Sequence, residues 1–502
     1  MTGPTARELF GPAGTPRVVV VGAGFGGIAA GVKLLRAGVH TFTIYESSLG
    51  VGGTWWDNTY PGAEVDVPSH LYCYSFKPHL WTRTHAGQAE LQKYLEETVD
   101  AFGLRPHLRL GTAVESAIWD DDRHVWNVRL ADGAVDECHV LVSAVGFLNV
   151  PRLPEWPGLD EFRGPKFHTA RWEHQHDLTG KVVAVVGTGS SATQVVPAIQ
   201  PIVERLYVFQ REPGWVVPKG ERDFDAAERA ALARPWRRRR ERLRQRYALE
   251  KNLWRGLLYR PGTKTNAQRE EFCRAYIARQ FADRPDLLDA VTPTYPYPGK
   301  RPVVASTYYR ALKQANVELV PRAVTALTAT GLVDSEGVER AVDVVVLATG
   351  FKAAEYLARL QVVGKGGRSL HEHWAGEPRA YLGITVSGFP NFFMLYGPGT
   401  NGGEIVMMLE SQAEYAVRAV KRMIRERVTA IEVKQRFEDR WYRWLQSKMP
   451  GTSWAASNNY FRSETGKIVT QWPYGNVPYR VLTKLLGRVS ERAFTRVGAA
   501  SP

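Results

Sequence analysis

Cysteine is nearly missing from this chain. Its three thiols, Cys73, Cys138 and Cys273, stand far apart and are odd in number, which gives neither a disulfide framework nor zinc-ligand spacing. No metal site is therefore expected. The lack of any neighbouring thiol pair also argues against a dithiol relay for electrons. Apolar runs are short too: none approaches the ~18 residues that a membrane-spanning helix needs, and the first residues lack the apolar segment of a signal peptide. A cytoplasmic protein with no membrane partner is the expectation.

Acidic charge is in deficit, with 51 acidic against 65 basic residues and a formal net charge of +14. Much of the excess sits in one run, Arg237 to Arg246. In a sequence rich in Arg, Glu, Ala and Leu, that run reads as the solvated face of a helix. Attraction of anionic cofactors and substrates is the milder functional reading, and no nucleic-acid partner is expected. Otherwise the composition, 44% hydrophobic and 23% charged, is that of an ordinary globular protein. At 502 residues the chain is long enough for two or three domains.

What the chain does have is two glycine-rich turns, each set between a strand and a helix. The apolar run 17–21 leads into Gly22-Ala-Gly24-Phe-Gly-Gly27, a helical stretch follows to residue 36, and the strand 40–45 ends in Glu46. Glycines at those positions let the backbone approach a pyrophosphate, and the helix N-terminus offers N–H donors. Glu46, about 20 residues beyond the glycines, is placed to accept from ribose hydroxyls. The second unit has the strand 181–186, the turn Gly187-Thr188-Gly189-Ser190-Ser191-Ala192, and a strand ending in Arg211 instead of an acid. An acid there favours a free ribose 2′-hydroxyl and an arginine a 2′-phosphate. The first unit thus reads as an FAD site and the second as an NADPH site, with Glu212 beside Arg211 as a complication.

Between and after these units, residues 88–103 read as an amphipathic helix and 111–147 as a β-rich stretch with a hairpin at Asp132-Gly133. Residues 221–290 read as a helical insertion ended by a proline–tyrosine cluster at 293–298. Helices are expected at about 404–426 and 433–447, followed by an aromatic tail. The fold class is α/β, with two Rossmann-like dinucleotide-binding domains and a helical insertion. The expected division is 1–150 with 350–502 for FAD, 151–220 with 299–349 for NADP, and 221–298 for the insertion.

Further constellations carry the chemistry. The loop Gly52-Gly53-Thr54-Trp55 to Tyr60-Pro-Gly-Ala-Glu-Val-Asp66 returns toward the first cofactor, where Trp55 and Tyr60 are candidates to wall a flavin ring. Asp66 taken alone reads as a turn or cap residue. Lys300-Arg301 taken alone reads as solvated surface, although a guanidinium that keeps its charge suits the stabilisation of an anionic oxygen.

The connector Phe162-Arg-Gly164-Pro-Lys-Phe-His168-Thr-Ala-Arg-Trp172 resembles the fingerprint FxGxxxHxxxW of type I Baeyer–Villiger monooxygenases. The stretch Gly53 to Asp66 resembles that family's second fingerprint, and 347–351 and 389–399 are similar to further landmarks. The resemblance implies FAD and NADPH as cofactors and dioxygen as co-substrate. It implies oxidation of a small-molecule ketone to an ester or lactone through a C4a-peroxyflavin, with Arg301 holding the anion and Asp66 paired to it. Lys300 and Arg211 match positions that bind the NADPH 2′-phosphate, and His168 matches one that couples the domains. Departures are Glu173 after the fingerprint tryptophan, Val145 before Gly146, and Glu212. Two alternatives stand beside this reading: an N- or S-oxygenating relative, and a non-oxygenating flavoprotein acting as NADPH oxidase or redox-responsive binding module. Neither the particular ketone nor the oligomeric state is legible.

Overall fold

A computed structural model describes residues 4–495. The strand Val18–Val21, buried at every position, lies at the centre of a five-stranded parallel sheet. Val140–Ser143 and Phe392–Met394 lie on one side of it, Phe42–Tyr45 and Leu108–Arg109 on the other. An unbroken valine run suits that place because both faces of the sheet are covered. The helices Phe25–Arg36 and Ile405–Glu426 contribute to the same core as Val18 and Val20. Strand 392–394 therefore brings the last third of the chain back to the first sheet.

A second parallel sheet has the order Val317–Val320, Arg205–Phe209, Val182–Val186, Val344–Leu347, Lys166–His168. In both sheets the strand before the glycine turn has neighbours on both sides, so the turn opens at a topological switch point, where open α/β sheets bind ligands. Smaller sheets at 114–138 with 361–363 and at 324–341 flank these units. The expected hairpin forms, with Gly133 at φ +89° and Leu130 N–H donating to Ala134 O.

Helices Ala226–Leu232, Pro235–Leu253, Lys264–Gln280 and Leu288–Val291 occupy the stretch read as an insertion. The expected C-terminal helices occur at Ile405–Glu426 and Gln435–Gln446. The aromatic tail also holds a helix, Asn476–Ser490, and a strand, Glu491–Phe494, paired antiparallel to Ala430–Val433. Pro478 hides that helix from a reading of the sequence but lies in its first turn, where proline is tolerated.

The basic run is solvated only in part. Arg237, Arg239, Arg240 and Arg244 are exposed as expected, but Arg242 and Arg246 are not solvated. One turn apart, they share a helix face and converge on Glu404, whose side chain is 2% exposed, at 3.1 Å and 2.7 Å. Arg242 also donates to the carbonyls of Cys73 and Tyr74. One turn further, the Glu250 carboxylate accepts from the amides of Asn476 and Val477, at the start of the last helix. Arg242, Arg246 and Glu250 thus dock this helix on the N-termini of two others. Among the described residues no helix is long and apolar enough to cross a membrane, and no acidic, histidine or cysteine cluster could hold a metal ion.

Candidate active site

The first turn is shaped by steric necessity. Gly22 has φ +104°, and a Cβ there would lie 2.7 Å from Ala144 O. A Cβ on Gly27 would lie 1.8 Å from Gly22 O, so the helix can approach the strand only without one. A Cβ on Gly53, φ +55°, would come within 3.1 Å of Gly24 Cα. The two glycine loops 22–27 and 52–53 therefore touch backbone to backbone. No side chain caps the helix that begins at Phe25, which leaves its first N–H groups for a ligand. Glu46 is buried, and its carboxylate accepts from Ala23 N at 2.7 Å and Ser48 N at 2.8 Å.

The second turn repeats this design. Gly187 has φ +117° and packs on Ala348 O, whereas a Cβ on Gly189 would meet nothing within 4 Å. The helix Ala192–Ile199 likewise lacks a side-chain cap.

A continuous cavity of about 1810 Å³ joins both turns. Its walls include Gly22, Gly24, Glu46, Gly53, Thr54, Trp55, Tyr60 and Asp66 from the first half. Gly187, Thr188, Gly189, Ser190, Ser191, Arg211, Lys300 and Arg301 come from the second. Gly27 does not line it, in keeping with its packing role.

Asp66 and Arg301, 235 residues apart, meet at this cavity. Arg301 Nη2 donates to Asp66 Oδ2 at 2.5 Å and Nε to the same oxygen at 3.2 Å. Burial pushes the Asp66 carboxyl up, but the Arg301 charge and hydrogen bonds outweigh it and hold the group below its ordinary value. The Asp66 charge in turn raises Arg301. The result is a cation fixed in place, with 43% of its side chain open to the cavity.

The expected phosphate-binding groups are arranged unequally. Arg211 is exposed and has no hydrogen bond or ion pair among the described residues. Lys300 is paired with Glu212, and its ammonium lies 5.1 Å from the centre of the Tyr295 ring. Glu212 thus competes for a cation that an anionic ligand would need.

Trp55 and Tyr60 both line the cavity, each with its polar end engaged elsewhere. The Trp55 indole N–H donates to Tyr72 OH at 3.2 Å, and Tyr60 OH donates to Gln194 Oε1 at 2.9 Å. The Tyr60 ring belongs to the core of the second unit, not the first. Of the tail aromatics, Tyr460 lines the cavity, whereas Trp454 and Trp472 lie in the first core.

The fingerprint stays out of the cavity except at Arg171. Phe162 is buried, and a Cβ on Gly164 would lie 2.2 Å from Asp343 O. His168 ends the edge strand beside Leu347, with its ring edge-on to Phe351. Its Nδ1 accepts from Ala170 N, Nε2 is buried without a hydrogen bond, and burial pulls the imidazole down to about 4. Trp172 packs edge-on against Phe167. Glu173 closes its own turn, bonding His176 Nε2 at 2.9 Å.

Several residues escaped the sequence reading. Arg171, inside the fingerprint, pairs with Asp57 of the loop 52–66 at 3.1 Å, and burial pushes that Asp57 carboxyl up in spite of the arginine. Thr59 bonds His174 at 2.8 Å. Gln194 brackets Glu64, accepting from its amide and donating to its carbonyl at 2.9 Å. Glu64 pairs with Lys219 at 2.7 Å. The loop thus belongs to the first half in sequence but is bonded to both halves, since Gly52 N donates to Ala23 O, Val65 N to Ala86 O and Gln88 Nε2 to Trp55 O. Arg171 and Asp57 at least lie within recognisable motifs, but nothing local marks Gln194 or Lys219.

These donors suit two dinucleotides. Each uncapped helix start faces the shared cavity, the Gly24–Gly53 contact forms a cradle that a Cβ would fill, and acid and base stand at the respective strand ends.

Residues 15–226 match the model of the flavin-binding monooxygenase-like family. A Baeyer-Villiger monooxygenase of Streptomyces coelicolor is 38% identical over 484 residues, covering 93% of this chain and 91% of the relative. One from Pseudomonas aeruginosa is 37% identical, covering 93% and 89%. The crystal structure of cyclohexanone monooxygenase from Rhodococcus sp. Phi1 bound to NADP+ superposes with a TM-score of 0.86 at 31% identity, covering 96% of this chain and 99% of that one.

Proposed function

The chain belongs to the Baeyer–Villiger monooxygenases, FAD-containing and NADPH-dependent, and from that premise we propose which of its residues do which work on a ketone. When bound, the flavin, reduced by NADPH, supplies the electrons that activate dioxygen for insertion beside the carbonyl, giving an ester or lactone. Gly22, Gly24, Gly53, Thr54 and the helix start at Phe25 hold the FAD pyrophosphate side, and Glu46 orients the loop through Ala23 N. Gly187, Gly189, Ser190 and Ser191 receive the NADPH pyrophosphate, with Arg211 and Lys300 at the 2′-phosphate.

Arg301 is the group that stabilises negative charge developing on oxygen, since a guanidinium cannot lose its proton near neutral pH. Asp66 fixes its direction. Phe162, Gly164, His168 and Trp172 brace the second sheet and deliver Arg171 to the loop. We divide the chain as FAD-binding (1–150 and 350–502), NADP-binding (151–220 and 299–349) and insertion (221–298), and place the enzyme in the cytoplasm. Tyr396, Tyr460, Tyr356 and Phe147 on the cavity wall favour a bulky, largely apolar ketone.

The observation that carries this assignment is the Arg301–Asp66 pair at a cavity shared by both glycine turns. The test is Arg301→Ala assayed in two steps. Anaerobic flavin reduction by NADPH should stay within about twofold of the parent, while ester formation falls by about 10²–10³-fold, the effect of removing one charge-stabilising donor. Ester produced at the parental rate would remove Arg301 from this role. Oxidised amine or sulfide from the parent enzyme, without ester from any of a panel of ketones, would favour the N- or S-oxygenating alternative.

A further inference from the structure

Lys219 stands out among charged groups that the assignment leaves unused. Its side chain is 1% exposed, a rare state for a lysine. Its ammonium lies 2.7 Å from Glu64 Oε1 and has no hydrogen-bond partner elsewhere among the described residues. Burial pulls the ammonium below its ordinary value, and the Glu64 carboxylate opposes that pull. Arg83, at 3.7 Å, is the other cation near Glu64 and is itself shared with Asp223.

Lys219 and Arg301 are tied together by backbone. Val216 and Val217 pair in parallel with Val303 and Val304, so Lys219, two residues after one strand, and Arg301, two residues before the other, stand at opposite ends of the ribbon, with Lys219 N donating to Ser306 Oγ. Their carboxylate partners, Glu64 and Asp66, are likewise two residues apart on the loop. A short parallel ribbon from the second half thus presents two cations to two carboxylates of the first. One pair, Asp66–Arg301, is open to the cavity. In the other, Glu64 stands on the cavity wall while Lys219 is buried behind it, away from the cavity. Behind the loop Gly62 permits close contact, since a Cβ there would lie 2.6 Å from Gln194 O.

We propose that Lys219 is a positioning residue: through Glu64 it pins the loop 60–66 to the ribbon that carries Arg301, and so sets Asp66 against Arg301. This rests on the reading of Asp66 and Arg301 given above. The consequence lies in the fate of oxygen. NADPH still reduces the flavin when the pin is lost, but with Arg301 out of register the electrons leave by the unproductive route, in which NADPH, H+ and O2 give NADP+ and H2O2.

The test uses the holoenzyme and the variants Lys219→Met, Glu64→Gln/Lys219→Met and Glu64→Lys/Lys219→Glu, with Arg301→Ala as reference. The double neutral variant avoids the unpaired buried carboxylate that destabilises the single one. In both neutral variants NADPH consumption should continue while ester per NADPH falls about tenfold or more and peroxide rises to match, since a misplacement of ~1 Å can cost ~10²-fold. Hydrogen exchange without turnover should show faster exchange at the Glu64 and Val65 amides, and the charge-swapped variant should regain coupling.

A purely structural role would lower flavin content and all rates together at parental ester per NADPH, and the double neutral variant would then recover flavin content and rates with stability. Parental coupling in Glu64→Gln/Lys219→Met, or unchanged exchange at residues 64 and 65, overturns the proposal. Ester at the parental rate from Arg301→Ala would instead overturn the reading on which it rests, so the two failures are distinguishable.

Discussion

Glu212→Gln should make the enzyme more selective for NADPH over NADH. In the structure the Glu212 carboxylate holds Lys300, so a 2′-phosphate has to displace it before Lys300 can bind. Both side chains are partly exposed, 24% for Lys300 and 35% for Glu212, and such a pair contributes ~0–1 kcal/mol. The displaced carboxylate also repels the incoming phosphate by about 1 kcal/mol per charge pair at ~4 Å in a water-like dielectric. Together these make about 1–2 kcal/mol, centred on a factor of about ten. Glutamine keeps the shape and removes both costs.

The expected result is a rise of about tenfold in the NADPH/NADH ratio of kcat/KM, carried by KM for NADPH, with NADH kinetics and kcat unchanged. Calorimetric titration of the holoenzyme should show the same gain for 2′,5′-ADP and none for 5′-AMP, and the gain should shrink as salt rises. An equal change for both coenzymes, or no change in the ratio, refutes the argument.

Other outcomes follow from the same geometry. Gly27→Ala should abolish folded yield and flavin content, because its Cβ meets a backbone oxygen. Gly189→Ala, whose Cβ meets open space, should leave the melting temperature unchanged while raising KM for NADPH. Glu404→Gln leaves Arg242 and Arg246 without their shared carboxylate; a loss of about 3 kcal/mol, the low end for breaking a buried pair, should lower Tm by about 3–5 °C in scanning calorimetry. Acid should weaken the fold from about pH 6.5 down to about 4. His70, His85 and His168 are each pulled from 6.5 to about 4 by burial, so the unfolded chain binds protons there that the folded one does not. His168→Gln should flatten the pH dependence of unfolding free energy in that window by about one proton.

The two nucleotide units were legible because each is written locally, as strand, glycines, helix and an acid or base at the next strand end. Fold class followed from repeating that pattern. Asp66 and Arg301 were harder, since separately they read as a cap and as surface. Their pairing spans 235 residues and came from resemblance, not from spacing. Lys219 and Gln194 left no trace at all, for their partners are set by how the two sheets meet. Arg242 and Arg246 misled for a related reason: helical spacing shows which residues share a face, but only the packing of Glu404 decides which face is inward.

The loop 52–66 has a consequence for recombining this chain with its relatives. Cutting at the sequence boundary between the nucleotide halves would leave Asp57, Thr59, Tyr60, Glu64 and Asp66 with one parent and Arg171, His174, Gln194, Lys219 and Arg301 with the other. A graft that respects the contacts moves this loop together with the second half, as a tongue inserted into the foreign first half, and keeps Gly24 and Gln88 there to receive it. Hybrids built on that boundary should inherit the donor's oxygen coupling, and those built on linear halves should inherit neither parent's.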